Sequence, residues 1–128
     1  MKIPSLSEIP DLAPVEGGEE HPLKVTKCFE QVSKKTGRSG LCFAIEIADE
    51  ALTPPIYHKF WLPMEGDDKA YIDRVWRDVK AWLLDLGFDV GIEYDDLTVF
   101  DGTEFRGIVG LRDSALDGRP ENFVQRIV

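Results

Sequence analysis

Apolar and polar positions alternate most cleanly between Leu41 and Ile47. Leu41, Phe43, Ile45 and Ile47 share one face, and Cys42, Ala44, Glu46 and Ala48 share the other. The first set must be buried, so this stretch predicts a half-buried strand. The second set is small, apart from one acid, and leaves room for something flat above it. Leu23 to Val32 predicts a preceding strand whose alternation slips: Leu23 and Val25 have one parity, Cys28 and Val32 the other. The slip predicts a bulge near Lys27 that bends the strand. Between the two strands, Lys34-Lys35-Thr36-Gly37-Arg38-Ser39-Gly40 has the turn chemistry of a hairpin tip.

After a break at Pro54-Pro55, Ile56, His58, Phe60 and Leu62 alternate with Tyr57, Lys59 and Trp61 in a third strand. Tyr57, Lys59 and Trp61 therefore share a face, which is either exposed or packed under a helix or the N-terminal arm. A helix follows, with Ile72, Val75, Trp76, Val79, Leu83 and Leu86 at spacings of three and four, an aspartate cap at Asp67-Asp68 and Gly87 past its end. Trp76 and Trp82 are expected as core anchors. Residues 87 to 100 predict a loop with a short helical turn after Asp95-Asp96. Thr103 to Arg112 predicts a fourth strand, with Phe105, Val109 and Leu111 inward and Gly107 and Gly110 allowing bending. Asn122 to Val128 predicts a fifth. Residues 1 to 22, with four prolines and the Gly17-Gly18 pair, predict an extended or disordered acidic arm, placed to cover a basic face or to have no role.

The order strand, strand, strand, helix, strand, strand predicts a mainly β fold: a five-stranded OB-fold Greek-key barrel over residues 23 to 128, with one α-helix between strands three and four. A length of 128 residues suits one domain with a modest core. The net charge of −9 argues against indiscriminate nucleic-acid binding. Its distribution changes that picture, because residues 21 to 61 carry six bases against four acids and are the only net positive stretch.

The cations and rings of that stretch define a candidate nucleic-acid site: Lys27, Phe29, Lys34, Lys35, Arg38, Tyr57, Lys59 and Trp61. Stacking rings beside fixed cations suit a single strand, since every base has a π-face and every nucleotide a phosphate.

The layout resembles a family of phage- and prophage-encoded single-stranded-DNA-binding-like proteins over about residues 15 to 128. It is carried by the hairpin Lys35-Thr36-Gly37-Arg38-Ser39-Gly40, the aromatic third strand, a helix ending in Leu86-Gly87, the segment Asp96-Leu97 to Gly102, and the turn Gly118 to Asn122. The resemblance implies single-stranded DNA binding in phage or bacterial replication or recombination, without catalysis or cofactor. It also implies contacts with replication or recombination proteins and admits a homo-oligomer. Many single-stranded-DNA-binding proteins recruit partners through an acidic C-terminal tail. Here Arg126-Ile127-Val128 reads as strand, so recruitment of that kind is not expected.

Other chemistry finds little support. No phosphate loop, Gly-x-Ser-x-Gly or His-Glu-x-x-His is present, and His21 and His58 are far apart in sequence. Zinc through Cys28, Cys42 and His58 would need three isolated ligands to converge, so no metal is expected. Asp67-Asp68-Lys69 faintly resembles a nuclease signature but sits where a helix needs capping acids. Cys28 and Cys42 fall on the two arms of the hairpin and read as reduced, half-buried thiols rather than a disulfide. No apolar run approaches the roughly 20 residues that span a bilayer, and residues 1 to 10 lack a signal-peptide core, so a cytoplasmic location is expected. The rival reading is an acidic protein-binding module, or nucleic-acid mimic, docking on a replication or repair protein through the helix and residues 89 to 96.

Overall fold

A computed structural model describes residues 1–128. Five strands, β1 (Glu19–Val32), β2 (Ser39–Ile47), β3 (Ile56–Trp61), β4 (Glu104–Asp113) and β5 (Pro120–Ile127), form one antiparallel sheet in the order β3-β2-β1-β4-β5. A single helix, α1 (Lys69–Asp85), lies between β3 and β4, and a 3-10 turn spans Leu97–Phe100. The sheet curls far enough to bring β3 and β5 side by side, yet they exchange no ladder bonds. The sheet is therefore not closed as a barrel, and an open groove separates its two edges; the element order leads one to expect a partly open barrel. No helix is long and apolar enough to cross a membrane.

The bend in β1 is where the alternation slips. Register shifts between Val25 and Lys27, leaving Thr26 as the extra residue, and its hydroxyl donates to the Ala44 carbonyl at 3.1 Å. The bulge turns Cys28 inward. It also moves the far edge of β1 from β4 onto the turn after Phe100: Val25 N–H donates to Thr103 O, Gly102 N–H to Val25 O, and Cys28 N–H to Asp101 Oδ1. β1 starts at Glu19, four residues before the expected Leu23, because Glu19 to Lys24 pair with β4 in spite of Pro22. Residues 13 to 18 are also docked. Val15 N–H donates to Asn122 Oδ1 and Asn122 Nδ2 donates to the Val15 carbonyl, both at 2.9 Å, so a buried asparagine takes the place of a strand partner.

The core lies between the inner face of the sheet and α1. Phe43 is at its centre, edge-on to Trp82 (centroids 5.6 Å apart), with Phe100 at 5.8 Å and Trp82–Phe105 at 6.0 Å. The helix buries Val75, Val79, Trp82 and Leu83. Its predicted stripe is right except at Trp76, which is 49% exposed. Trp82 takes the anchoring role, stacked on His58 at 3.9 Å. Asp68 caps the helix, accepting from Tyr71 N–H at 2.8 Å, and Gly87 ends it with φ +93°. Leu111, expected inward, is 46% exposed because it lies past the core beside Gly17 of the arm. Gly110 leaves space for the Phe123 ring, which an added Cβ would meet at 2.5 Å.

Candidate nucleic-acid interface

The registers of β1, β2 and β3 place nine residues on one outer face in three rows: Lys27, Ala44, Tyr57; Phe29, Cys42, Lys59; and Gln31, Gly40, Trp61. The centre strand contributes only Gly, Cys and Ala. Large side chains rise on both sides, so the face is a trough with a low floor. Cys42 (0% exposed) and Ala44 (8%) are buried although they point outward, which shows how far the flanking side chains lean over them. Trp61 does so most closely: a Cβ at Gly40 would lie 2.9 Å from its ring.

Tyr57 and Trp61 remain 52% and 37% exposed, and Phe29 is half-buried. Neither Tyr57 nor Trp61 is packed beneath the helix or the arm. Lys27 Nζ lies 5.4 Å from the Phe29 ring centroid and Lys59 Nζ 5.8 Å from that of Tyr57, so each ring carries a cation at its side. Trp61 is held at the backbone, where Tyr71 Oη donates to its carbonyl at 2.9 Å.

The hairpin tip extends past this face. Gly37 takes φ +72°, and Ser33 N–H donates to the Arg38 carbonyl at 2.9 Å to close the loop. Lys34 and Lys35 are exposed, and with Lys27 and Lys59 they take part in none of the four ion pairs of the molecule. Arg38 differs. Its Nη1 and Nη2 donate to the two carboxylate oxygens of Asp67 at 2.6 and 2.9 Å, and Nη1 also donates to the Leu62 carbonyl at 3.0 Å. Tyr71 lies 5.1 Å from the guanidinium carbon. The Arg38 hydrogen bond, reinforced by Met64 N–H, pulls the Asp67 carboxyl down to about 2. Arg38 is thus the strut that ties the hairpin to the start of α1, and the free cations among the expected site residues are the four lysines. The two acids at the helix start divide their work: Asp67 holds Arg38 and Asp68 caps the helix.

The open groove between β3 and β5 continues the trough. Its volume is about 670 Å³, and Tyr57, Lys59 and Trp61 line it from one side, Arg112 and Phe123 from the other. Arg112 lies over the Phe123 ring at 4.6 Å and bonds Glu121 at 3.2 Å, while Leu116 in the β4–β5 turn is almost fully exposed. None of these four residues stands out in the linear pattern; only the curling of the sheet brings β5 beside β3.

The two thiols lie on opposite faces, Cys28 paired with Phe43 and Cys42 with Phe29, and both are free. Burial, followed by the Asp101 charge, pushes the Cys28 thiol up to about 12, and burial raises Cys42 too. Neither is a nucleophile at neutral pH. His58 is held down to about 4 by burial and then by the Arg112 charge, so it stays neutral against Trp82. Cys28, Cys42 and His58 do not converge as a metal set. A different group, His21 with Asp49 and Glu50, does bring ligand atoms together within 4.8 Å, with His21 Nδ1 at 3.1 Å from Asp49 Oδ1. No family model matches the chain, and no curated protein matches it significantly.

Proposed function

We propose that this chain is an OB-type domain that binds single-stranded DNA, without catalysis, on the outer face of β1, β2 and β3. The observation that carries the reading is the three-by-three face: a floor of Gly40, Cys42 and Ala44 between walls that offer Phe29, Tyr57 and Trp61 as rings and Lys27 and Lys59 as cations. A base stacked on such a ring gains roughly 1 to 3 kcal/mol whatever its identity, and the neighbouring ammonium groups meet the phosphates. The strand order and the helix between β3 and β4 support the OB assignment, and the β3–β5 groove corresponds to the partly open barrel of that fold. The family resemblance supports DNA, and a role in replication or recombination, as the setting. An overall charge of −9 makes the binding local and dependent on ionic strength.

The test is fluorescence anisotropy of a labelled oligo-dT at low salt, with duplex as competitor. Saturable binding that duplex does not displace is expected. Trp61→Ala should weaken it at least about fivefold, the lower end of one lost stack, while the circular dichroism spectrum is unchanged. Absence of binding at low salt would remove the reading.

A further inference from the structure

The segment before the first strand carries a pattern that the sheet does not use. Ile3, Leu6, Ile9, Leu12 and Val15 recur at intervals of three. Pro4, Ser7, Pro10 and Ala13 fill the next position of each triplet, and Lys2, Ser5, Glu8, Asp11 and Pro14 the remaining one. A period of three is that of the polyproline II helix, so the segment is amphipathic in that conformation, with one apolar edge, one proline-rich edge and one polar edge. Only Val15 is docked, through Asn122; Ile3, Leu6, Ile9 and Leu12 are 55 to 73% exposed.

The same chain has an unfilled groove of the kind that receives such segments. It lies between α1, the hairpin end of β2 and the 3-10 turn, measures about 410 Å³, and is walled by Trp76, Tyr94, Phe100, Leu41 and Leu62. Grooves lined with aromatic rings bind polyproline II segments because the ligand is already extended and loses little entropy on docking. Two acids, Glu30 and Asp95, stand at its rim. The arm offers two apolar-proline dipeptides, Lys2-Ile3-Pro4 and Glu8-Ile9-Pro10. Charge decides between them, since Lys2 complements the acidic rim and Glu8 opposes it.

We propose that Ile3-Pro4 of one molecule seats in the Trp76 groove of a second copy, with Lys2 against Glu30 and Asp95, giving a dimer by exchange of arms. The base of the arm is fixed at the other end of the sheet, where Ala13 N–H donates to the Leu52 carbonyl in the β2–β3 connection. To reach its own groove the arm must run the length of β2, roughly 26 Å, and pass round to the helix side. That uses nearly all of the roughly 31 Å that the ten residue steps from Ile3 to Ala13 span as polyproline II. It also requires loss of the turn closed by Ile9 N–H to Leu6 O. A second copy is free of the first constraint, and exchange makes two equal contacts related by a twofold axis.

Sedimentation velocity between about 10 µM and 1 mM tests this. The wild-type mass should rise from 14.5 kDa towards twice that value. Ile3→Asp and Glu30→Lys, both at exposed positions, should each weaken association at least tenfold with unchanged thermal melting. Trp76→Asp should do the same on the groove side. A mixture of Ile3→Asp, which keeps its groove, with Trp76→Asp, which keeps its arm, should associate through the one intact contact, more tightly than either variant alone and more weakly than the wild type. A wild type that stays monomeric throughout would overturn the proposal, as would a dimer indifferent to Ile3→Asp. A monomer whose Trp76 emission responds to Ile3→Asp would assign the groove to the molecule's own arm and equally overturn exchange.

Discussion

On the proposed single-stranded-DNA reading, replacing Lys34 and Lys35 together by alanine separates cations that would meet phosphate from those that hold the fold. The four lysines Lys27, Lys34, Lys35 and Lys59 have no ion-pair partner, whereas Arg38 is bound on both sides by Asp67. For single strands, each neutralised phosphate contributes about −0.7 to the slope of log affinity against log salt, so four lysines predict about −2.8. Between 50 and 200 mM salt the wild type should then lose about 50-fold in affinity. The double variant, with a slope of about −1.4, should lose only about sevenfold. Arg38→Ala should keep the wild-type slope and lower the melting temperature, because it releases the hairpin from the start of α1. Anisotropy titrations at four salt concentrations, paired with thermal melts, measure both quantities. A slope unchanged by Lys34→Ala/Lys35→Ala would place the hairpin outside the interface. An Arg38→Ala protein that melts normally but loses about 0.7 of slope would refute the assignment of Arg38 to the fold.

Other outcomes follow from the core and the arm. His58 in the folded chain holds its proton more weakly than its ordinary value of 6.5, at about 4, so the unfolded chain binds more protons between those values. Stability from this group is fully present above about pH 6.5 and is lost as the pH falls towards 4. The loss between pH 7 and 5 is about 2 kcal/mol by the linkage relation. Urea denaturation should show that loss in the wild type and not in His58→Phe, which keeps a ring on Trp82; identical pH dependence in the two proteins would exclude His58 as its source. Asn122→Ala removes three side-chain bonds, two to Val15 and one to the Gly110 carbonyl. With buried groups left unsatisfied it should cost roughly 1 to 3 kcal/mol. It should also expose residues 13 to 18 to limited proteolysis, and a variant as protease-resistant as the wild type would show that the arm is held by other means.

Much of the fold was legible in the order of residues because the signals were local. The parity switch between Val25 and Cys28 foretold the bulge at Thr26, and Asp96 foretold the turn at Leu97–Phe100. The aspartate pair marked the helix start. Parity also put Tyr57, Lys59 and Trp61 on a common face, and the small residues of β2 beneath them.

What parity cannot express is distance between elements. The pairing of Arg38 with Asp67 joins a hairpin tip to a helix start 29 residues away. On the chain, Arg38 looks the same as its neighbours Lys34 and Lys35; in the fold its planar guanidinium is matched by a carboxylate, whereas their ammonium groups have no such partner. Trp76 and Trp82 differ by six residues and share a composition, yet one faces the groove and the other stacks on His58, because the helix can turn only one side to the sheet. The start of β1 at Glu19, ahead of Pro22, depended on an edge of β4 that the local sequence does not contain. The sequence by itself determined the number of strands, the faces of β2 and β3 and the bend, since each follows from backbone geometry over a few residues. The tertiary structure alone decided which cations stay free, which tryptophan is covered, and that β3 and β5 stop short of closing, since these follow from the meeting of distant side chains.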